Sequence, residues 1–238
     1  MITFHKETKM ADVIYSNHLL LPVINRFGIY MGFQDKTVEQ VCGESGTDIL
    51  FFLEILNTYN NEKYFPQEKL SAFSLSSIVN YLRKTHIYYL SFLVPQMEER
   101  LERMKTEEFA DNLAVLRSFY TKYKQEIKSH IREEEEKVFP YVLDLELMQQ
   151  SKMPIDEFKH KYVNYSIYIS NDEHSEIDDK LLDLKNLIIK YLPANYDLNA
   201  SIAFVNSLFH FDQDLQNHAR IEEKILYPKV RQLEITLL

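Results

Sequence analysis

The amino-acid sequence predicts an all-α protein, an up-down-up-down four-helix bundle preceded by a small helical module. Three observations carry this reading. All four glycines fall between Gly28 and Gly46, and none occurs from Thr47 to Leu238; a β-rich chain of that length needs glycine in its hairpins and bulges. Apolar residues recur at helical spacing over the same glycine-free stretch. Four long segments are separated by three short breaks, and short connections make antiparallel neighbours in a bundle.

The elements follow in order. Residues 1–62 form the small module, its helices lying within 8–60. Leu19-Leu20-Leu21-Pro22-Val23-Ile24 supplies an apolar face, and Asn25-Arg26-Phe27-Gly28 and Met31-Gly32-Phe33 punctuate it. Asn60, Asn61, Glu62 and Lys63 open a polar linker that ends at Pro66. The bundle occupies 70–238. Its first helix runs from Ser74 to Met104, with Leu75, Ile78, Val79, Leu82 and Leu90 on one face and His86 in the same register. The second starts after Thr106-Glu107-Glu108, a capping residue followed by first-turn acids, and runs to about Met148. Ser151-Lys152-Met153-Pro154 breaks the chain, with Pro154 suited to a first helical position. The third helix ends at Tyr191, before Pro193-Ala194-Asn195, and the fourth runs from near Asp197 to about Leu233.

Composition narrows the function. Hydrophobic residues make up 45% and charged residues 26% of the 238, the balance of a soluble globular chain rather than a disordered or membrane-spanning one. The net charge of −9 argues against the basic surface that nucleic-acid binding needs. Cys42 is the single cysteine, so no internal disulfide forms and a reducing compartment is expected. Met1 to Asn17 is mixed polar, without the apolar core of a signal peptide, which makes the cytoplasm the expected location.

The most informative pattern is a ladder of histidines. His86, His130, His174 and His218 are each 44 residues apart. The midpoints, residues 108, 152 and 196, lie at or near the breaks placed above on other grounds. Residues equidistant from a turn between antiparallel helices sit at one height, so the four imidazoles belong to one layer, about 30 Å from each turn. The surroundings repeat as well. His130 and Glu134 match His218 and Glu222, Val138-Phe139-Pro140 matches Leu226-Tyr227-Pro228, and Glu126 matches Asp214, all offset by 88 residues. A duplicated two-helix unit accounts for this.

Residues i and i+4 share a helix face, so each His-x-x-x-Glu presents an imidazole and a carboxylate toward one point. With His86 and His174 the set becomes four nitrogen ligands and two carboxylates. One tetrahedral zinc takes four ligands; this set suits two metals, with Glu134 and Glu222 placed to bridge them. Residue type leaves iron, manganese and zinc open, with free positions for water, an oxo group, O2 or NO. Glu126, one turn before His130, and Glu173, beside His174, could support the ligands or relay protons. The rest of the run from Glu133 to Glu136 is expected in solvent, Glu134 alone facing inward. His5, His160 and His210 fall outside the pattern, His210 being about 80° off the face of His218. The 16 tyrosines and 15 phenylalanines are read as packing rather than as a redox relay, and kinks are expected at Pro140 and Pro228.

The six residues His86, His130, Glu134, His174, His218 and Glu222 resemble the ligand pattern of the hemerythrin-like (HHE cation-binding) superfamily. Within it they most resemble the RIC family, di-iron proteins that repair iron–sulfur clusters. The likeness covers about residues 75–235. It implies a hemerythrin-like bundle holding two non-haem irons bridged by oxo or hydroxo groups and carboxylates, with zinc or manganese as substitutes. It also implies recovery from nitrosative or oxidative damage, with iron–sulfur proteins as partners; packing, a homodimer or another partner contact are alternative uses of the N-terminal module. An alternative in the same superfamily is reversible O2 or NO binding without repair; reduction of NO or peroxide would be the enzymatic version. Residues Arg26-Phe27-Gly28-Ile29 and Lys36 to Cys42 resemble the short domain that precedes the bundle in RIC proteins. The paired cysteines of that domain, expected near Met31 and Gly32, are absent here.

Overall fold

In the computed structural model, residues 2–163, 165, 173–192 and 196–238 are described, and every regular element among them is helical. Their one β-type pairing is an isolated bridge between Lys9 and Thr37. None of the described helices is long and apolar enough to cross a membrane.

The N-terminal part contains α1 (Met10–Ser16), α2 (Leu21–Arg26), α3 (Val38–Ser45) and α4 (Ile49–Asn60). Local chemistry sets their ends. Thr37 and Gln40 form a reciprocal capping box at the start of α3, and Gly46 closes that helix at φ 67°, a left-handed conformation that glycine adopts without a Cβ clash. The Asp48 carboxylate accepts from the amides of Leu50 and Phe51 to start α4. A short helix α5 (Gln67–Ala72) follows.

Three long helices then carry the chain, each interrupted by a π-helical turn. The first joins α6 (Leu75–Tyr88), π1 (Tyr89–Leu93) and α7 (Val94–Glu102); Ser74 caps it through the Ser77 amide. The second joins α8 (Ala110–Glu133), π2 (Glu134–Val138) and α9 (Phe139–Gln149). The third joins α12 (Leu198–Ile221), π3 (Glu222–Leu226) and α13 (Tyr227–Leu237), capped at its start by Asp197. In each case a proline, Pro95, Pro140 or Pro228, is the second residue after the π turn. Proline has no N–H, and its ring clashes with the carbonyl four residues back in an α-helix. Widening the preceding turn relieves the clash and lets the helix continue. The expected kinks at Pro140 and Pro228 take this form.

The third predicted segment departs from a single helix. α10 (Ile155–Lys161) starts after Pro154 and stops at Tyr162, whose backbone leaves the helical region at φ −118°, ψ 32°. Tyr162 and Tyr165 pack on Tyr141 instead, with ring centroids at 4.9 and 4.8 Å. Aromatic and β-branched residues are modest helix formers, and here side-chain packing outweighs helix continuity. α11 (Glu173–Tyr191) completes the set.

Contacts run from α7 to α8, α8 to α11, α11 to α12 and α12 back to α7. Two apolar cores result. One, built on Met97, Leu116, Tyr120, Leu181, Phe204 and Phe211, fills the space among these four helices. The other joins Leu75, Leu82, Phe139, Tyr227 and Val230 to Met10, Val13, Ile24, Phe52 and Ile55 of the first four helices. The N-terminal helices therefore close one end of the long helices and share its core. The polar layer between the two cores contains His86, His130, Glu134, His218 and Glu222.

Candidate metal centre

The ends of α6, α8 and α12 meet in this layer. His86 lies in the last turn of α6, His130 in the last turn of α8, and His218 in the last turn of α12. Glu134 and Glu222 are the first residues of π2 and π3. π turns concentrate at functional sites because the wide turn redirects side chains without ending the helix.

The side chains converge on one point. His86 Nε2 lies 3.2 Å from His218 Nε2 and 3.2 Å from Glu134 Oε2. Glu222 Oε1 is 3.0 Å from His218 Nε2, and Glu134 Oε2 is 3.5 Å from His130 Nε2. One donor atom from each of His86, Glu134, His218 and Glu222 falls within 4.8 Å of the other three. All four residues are buried, Glu222 fully and Glu134 to 2% exposure. Two carboxylates this deep need positive charge close by, and two imidazole nitrogens lie 3.2 Å apart beside them. That donor set fits a cation.

The local field points the same way. Burial opposes charge on His86, yet hydrogen bonds to Glu134 and Glu135 raise its pKa to about 9. The site therefore favours positive charge at that ring. Glu135 Oε1 lies 2.9 Å from His86 Nδ1, while its Oε2 accepts from Arg83 Nε at 2.9 Å. Burial would raise the Glu135 pKa, but these two partners hold it below the ordinary carboxylate range. A carboxylate on the far nitrogen of a ligating histidine fixes the tautomer and aims the other nitrogen. Glu135 was expected in solvent. Its signal in the sequence was Pro140, which marks the π turn that carries it.

Neighbouring rings complete the walls. Phe139 stacks on His86 with centroids 5.3 Å apart. Tyr227, its counterpart in the repeat, directs its hydroxyl toward Glu134 Oε1 at 3.5 Å. Burial and the charges of Glu222 and Glu134 push the Tyr227 pKa up, so it stays a donor. Tyr89 packs edge-on to His218 with centroids at 5.9 Å.

Five of the six predicted ligands thus occupy one layer. His174 is the second residue of α11, and its side chain lies outside the described residues, as does that of Glu173. Glu126 sits at the surface in an ion pair with Lys180 at 2.9 Å. Its repeat counterpart Asp214 is largely buried and pairs with Arg26.

The family model of the hemerythrin HHE cation-binding domain matches residues 77–230, more than half of the chain. The chain belongs to this family. The match starts nine residues before His86 and ends eight residues after Glu222, so the hemerythrin domain spans all six predicted ligands. No curated protein matches the chain. A hemerythrin-type domain with a buried His/Glu group is a candidate metal-binding protein, and this group could hold an ion.

Proposed function

We propose that the chain holds a non-haem di-iron centre on His86, His130, Glu134, His174, His218 and Glu222, inside an up-down-up-down bundle. Its role in this reading is protection or repair of iron–sulfur clusters under nitrosative and oxidative stress. The observation that carries the metal is the cluster of buried imidazoles and carboxylates within 4.8 Å of one another. The matching His-x-x-x-Glu pair on each of two helices supports two ions, one per pair, and the six residues are more than one tetrahedral zinc takes. Bound iron would supply redox chemistry and open positions for diatomic ligands. The protein's part is to supply the donors, with Glu135 orienting His86 and Tyr227 donating toward Glu134.

The test is metal content and visible absorption of anaerobically purified protein. The reading expects about two irons per chain, by analogy with two-metal carboxylate sites, and an oxo-bridged ferric band after oxidation. Failure to bind more than one ion after anaerobic reconstitution with ferrous iron overturns the di-iron assignment. Repair has its own test, restoration of a damaged iron–sulfur enzyme under anaerobic conditions by the iron-loaded protein; no restoration rejects it.

Cys42 favours the second reading, reversible binding of O2 or NO without repair. It is buried, and burial with the nearby Asp48 pushes its thiol pKa up to about 12. Such a thiol does not exchange iron or disulfides readily. A stable, reversible oxygenated or nitrosylated spectrum, with no repair activity, would select this alternative.

A further inference from the structure

A cavity of about 490 Å³ lies where the N-terminal helices meet the bundle, separate from the His/Glu layer. Residues 18–22 form one wall, and α7 and α12 form the other. We propose that it is a second ligand site, which takes a small organic anion with an apolar body. The volume falls in the range of small-molecule pockets.

The lining has two characters. Leu19, Leu21, Pro22, Tyr88 and Leu93 provide an apolar face. Arg100, His18 and His210, contributed by three separate parts of the chain, also line it. Gln96, Asn206, Gln213 and Asn217 add amide donors. Among the described residues Asp214 is the one carboxylate in the lining, and Arg26 neutralises it. The wall therefore carries a net positive charge in a protein whose overall charge is −9.

Arg100 uses one terminal nitrogen, Nη1, on the Ala203 carbonyl at 3.3 Å and on the Ser207 hydroxyl. A guanidinium has five N–H donors, so others remain to meet a carboxylate in the cavity. The imidazoles of His18 and His210 have no hydrogen bond to a described residue, their backbones being paired in the helices. Partial burial first, then His18 and Arg100, push the His210 pKa down, so Arg100 is the charged group of the wall and His210 is a neutral hydrogen-bonding partner. One charged head among these donors and one apolar body against Leu21 and Tyr88 fill both halves of the cavity.

The test uses the full chain and three probes: 3-phenylpropionate, its neutral amide 3-phenylpropionamide, and the cation 3-phenylpropylamine. Calorimetric titration should give a dissociation constant below about 1 mM for the acid. The amide and the amine should bind at least about tenfold more weakly, the loss expected for one charge-assisted hydrogen bond. His210→Glu places a negative charge on the wall at an exposed position, and should weaken the acid by at least about tenfold at unchanged melting temperature. Arg100→Gln should weaken it similarly. Equal binding of acid and amide, undiminished binding to the His210→Glu protein, or no binding of the acid at about 10 mM would each overturn the proposal.

Discussion

Replacing Arg26 with methionine tests how the N-terminal helices are tied to the bundle. The Arg26 side chain is 2% exposed, and its guanidinium pairs with Asp214, itself 14% exposed. It also donates to Tyr81 Oη at 3.2 Å and Tyr59 Oη at 3.4 Å, and its guanidinium carbon lies 5.0 Å from the centre of the Tyr88 ring. Burial holds the Tyr59 and Tyr81 phenols protonated, so among the described residues Asp214 is the one anion facing this cation. Methionine keeps most of the stem's volume but strands the carboxylate. Breaking a buried pair costs about 3–5 kcal/mol, because the surviving charge has no partner. Asp214 borders the open cavity and can gain some water, which puts the expected loss at the lower end, about 3 kcal/mol. For a chain of this size that corresponds to a fall in melting temperature of roughly 6–12 °C. The double variant Arg26→Met with Asp214→Leu removes both charges and should recover most of the loss, since apolar replacement of a buried pair is often neutral. Urea unfolding of the four proteins of the cycle, in the presence of chelator, measures this. A single-variant loss under about 1 kcal/mol, or a double variant no more stable than Arg26→Met, would refute the reasoning.

Three further outcomes are expected. Stripping the metal with a chelator should lower the melting temperature of the iron-loaded protein, because a ligand at a hundred times its dissociation constant adds about 2.7 kcal/mol; Glu134→Gln and Glu222→Gln should lower both the bound iron and this increment, as read by elemental analysis and calorimetry. Glu135→Gln should leave the fold intact but weaken metal binding by about 10–100-fold in competition with a chromophoric chelator, the usual cost of losing a carboxylate behind a ligating histidine. Cys42 should resist alkylation at pH 8 in the folded protein and react once urea unfolds it. Lifting its pKa from 9.0 to about 12 cuts the thiolate population by about a thousandfold, so comparable labelling rates in the two states would contradict the burial.

The long helices were legible because their signals are local: apolar spacing, the missing glycines and the prolines that start or stop them. The layer of buried histidines and glutamates was legible because duplication wrote it twice, and equal spacing from the turns puts His86, His130 and His218 at one height. What could not be read depends on helix geometry finer than a uniform 3.6-residue repeat. The π turns at Glu134 and Glu222 shift the register by a fraction of a turn, and this brings Glu135 to His86 although the run around it reads as solvated. The end of α10 was hidden for another reason: Tyr162 and Tyr165 find their partner in Tyr141, a contact between sequence-distant segments. Glu126 and Asp214 look equivalent in the repeat, but only Asp214 meets the N-terminal helices, and the sequence alone does not show where those dock.

The shared core also sets where this chain can be cut. The polar stretch from Asn60 to Pro66 looks like a hinge between independent pieces, yet Met10, Ile24 and Phe52 lie in the same apolar cluster as Leu82, Phe139 and Val230. Severing the chain there would leave a hydrophobic end on the downstream fragment and an unaccompanied Asp214 beside it. A gene fragment chosen by the family match alone, residues 77–230, would begin inside α6 and lack the helices that roof one of its two cores. Its natural failure is aggregation through that bare end, and supplying the missing N-terminal piece in trans is its natural rescue.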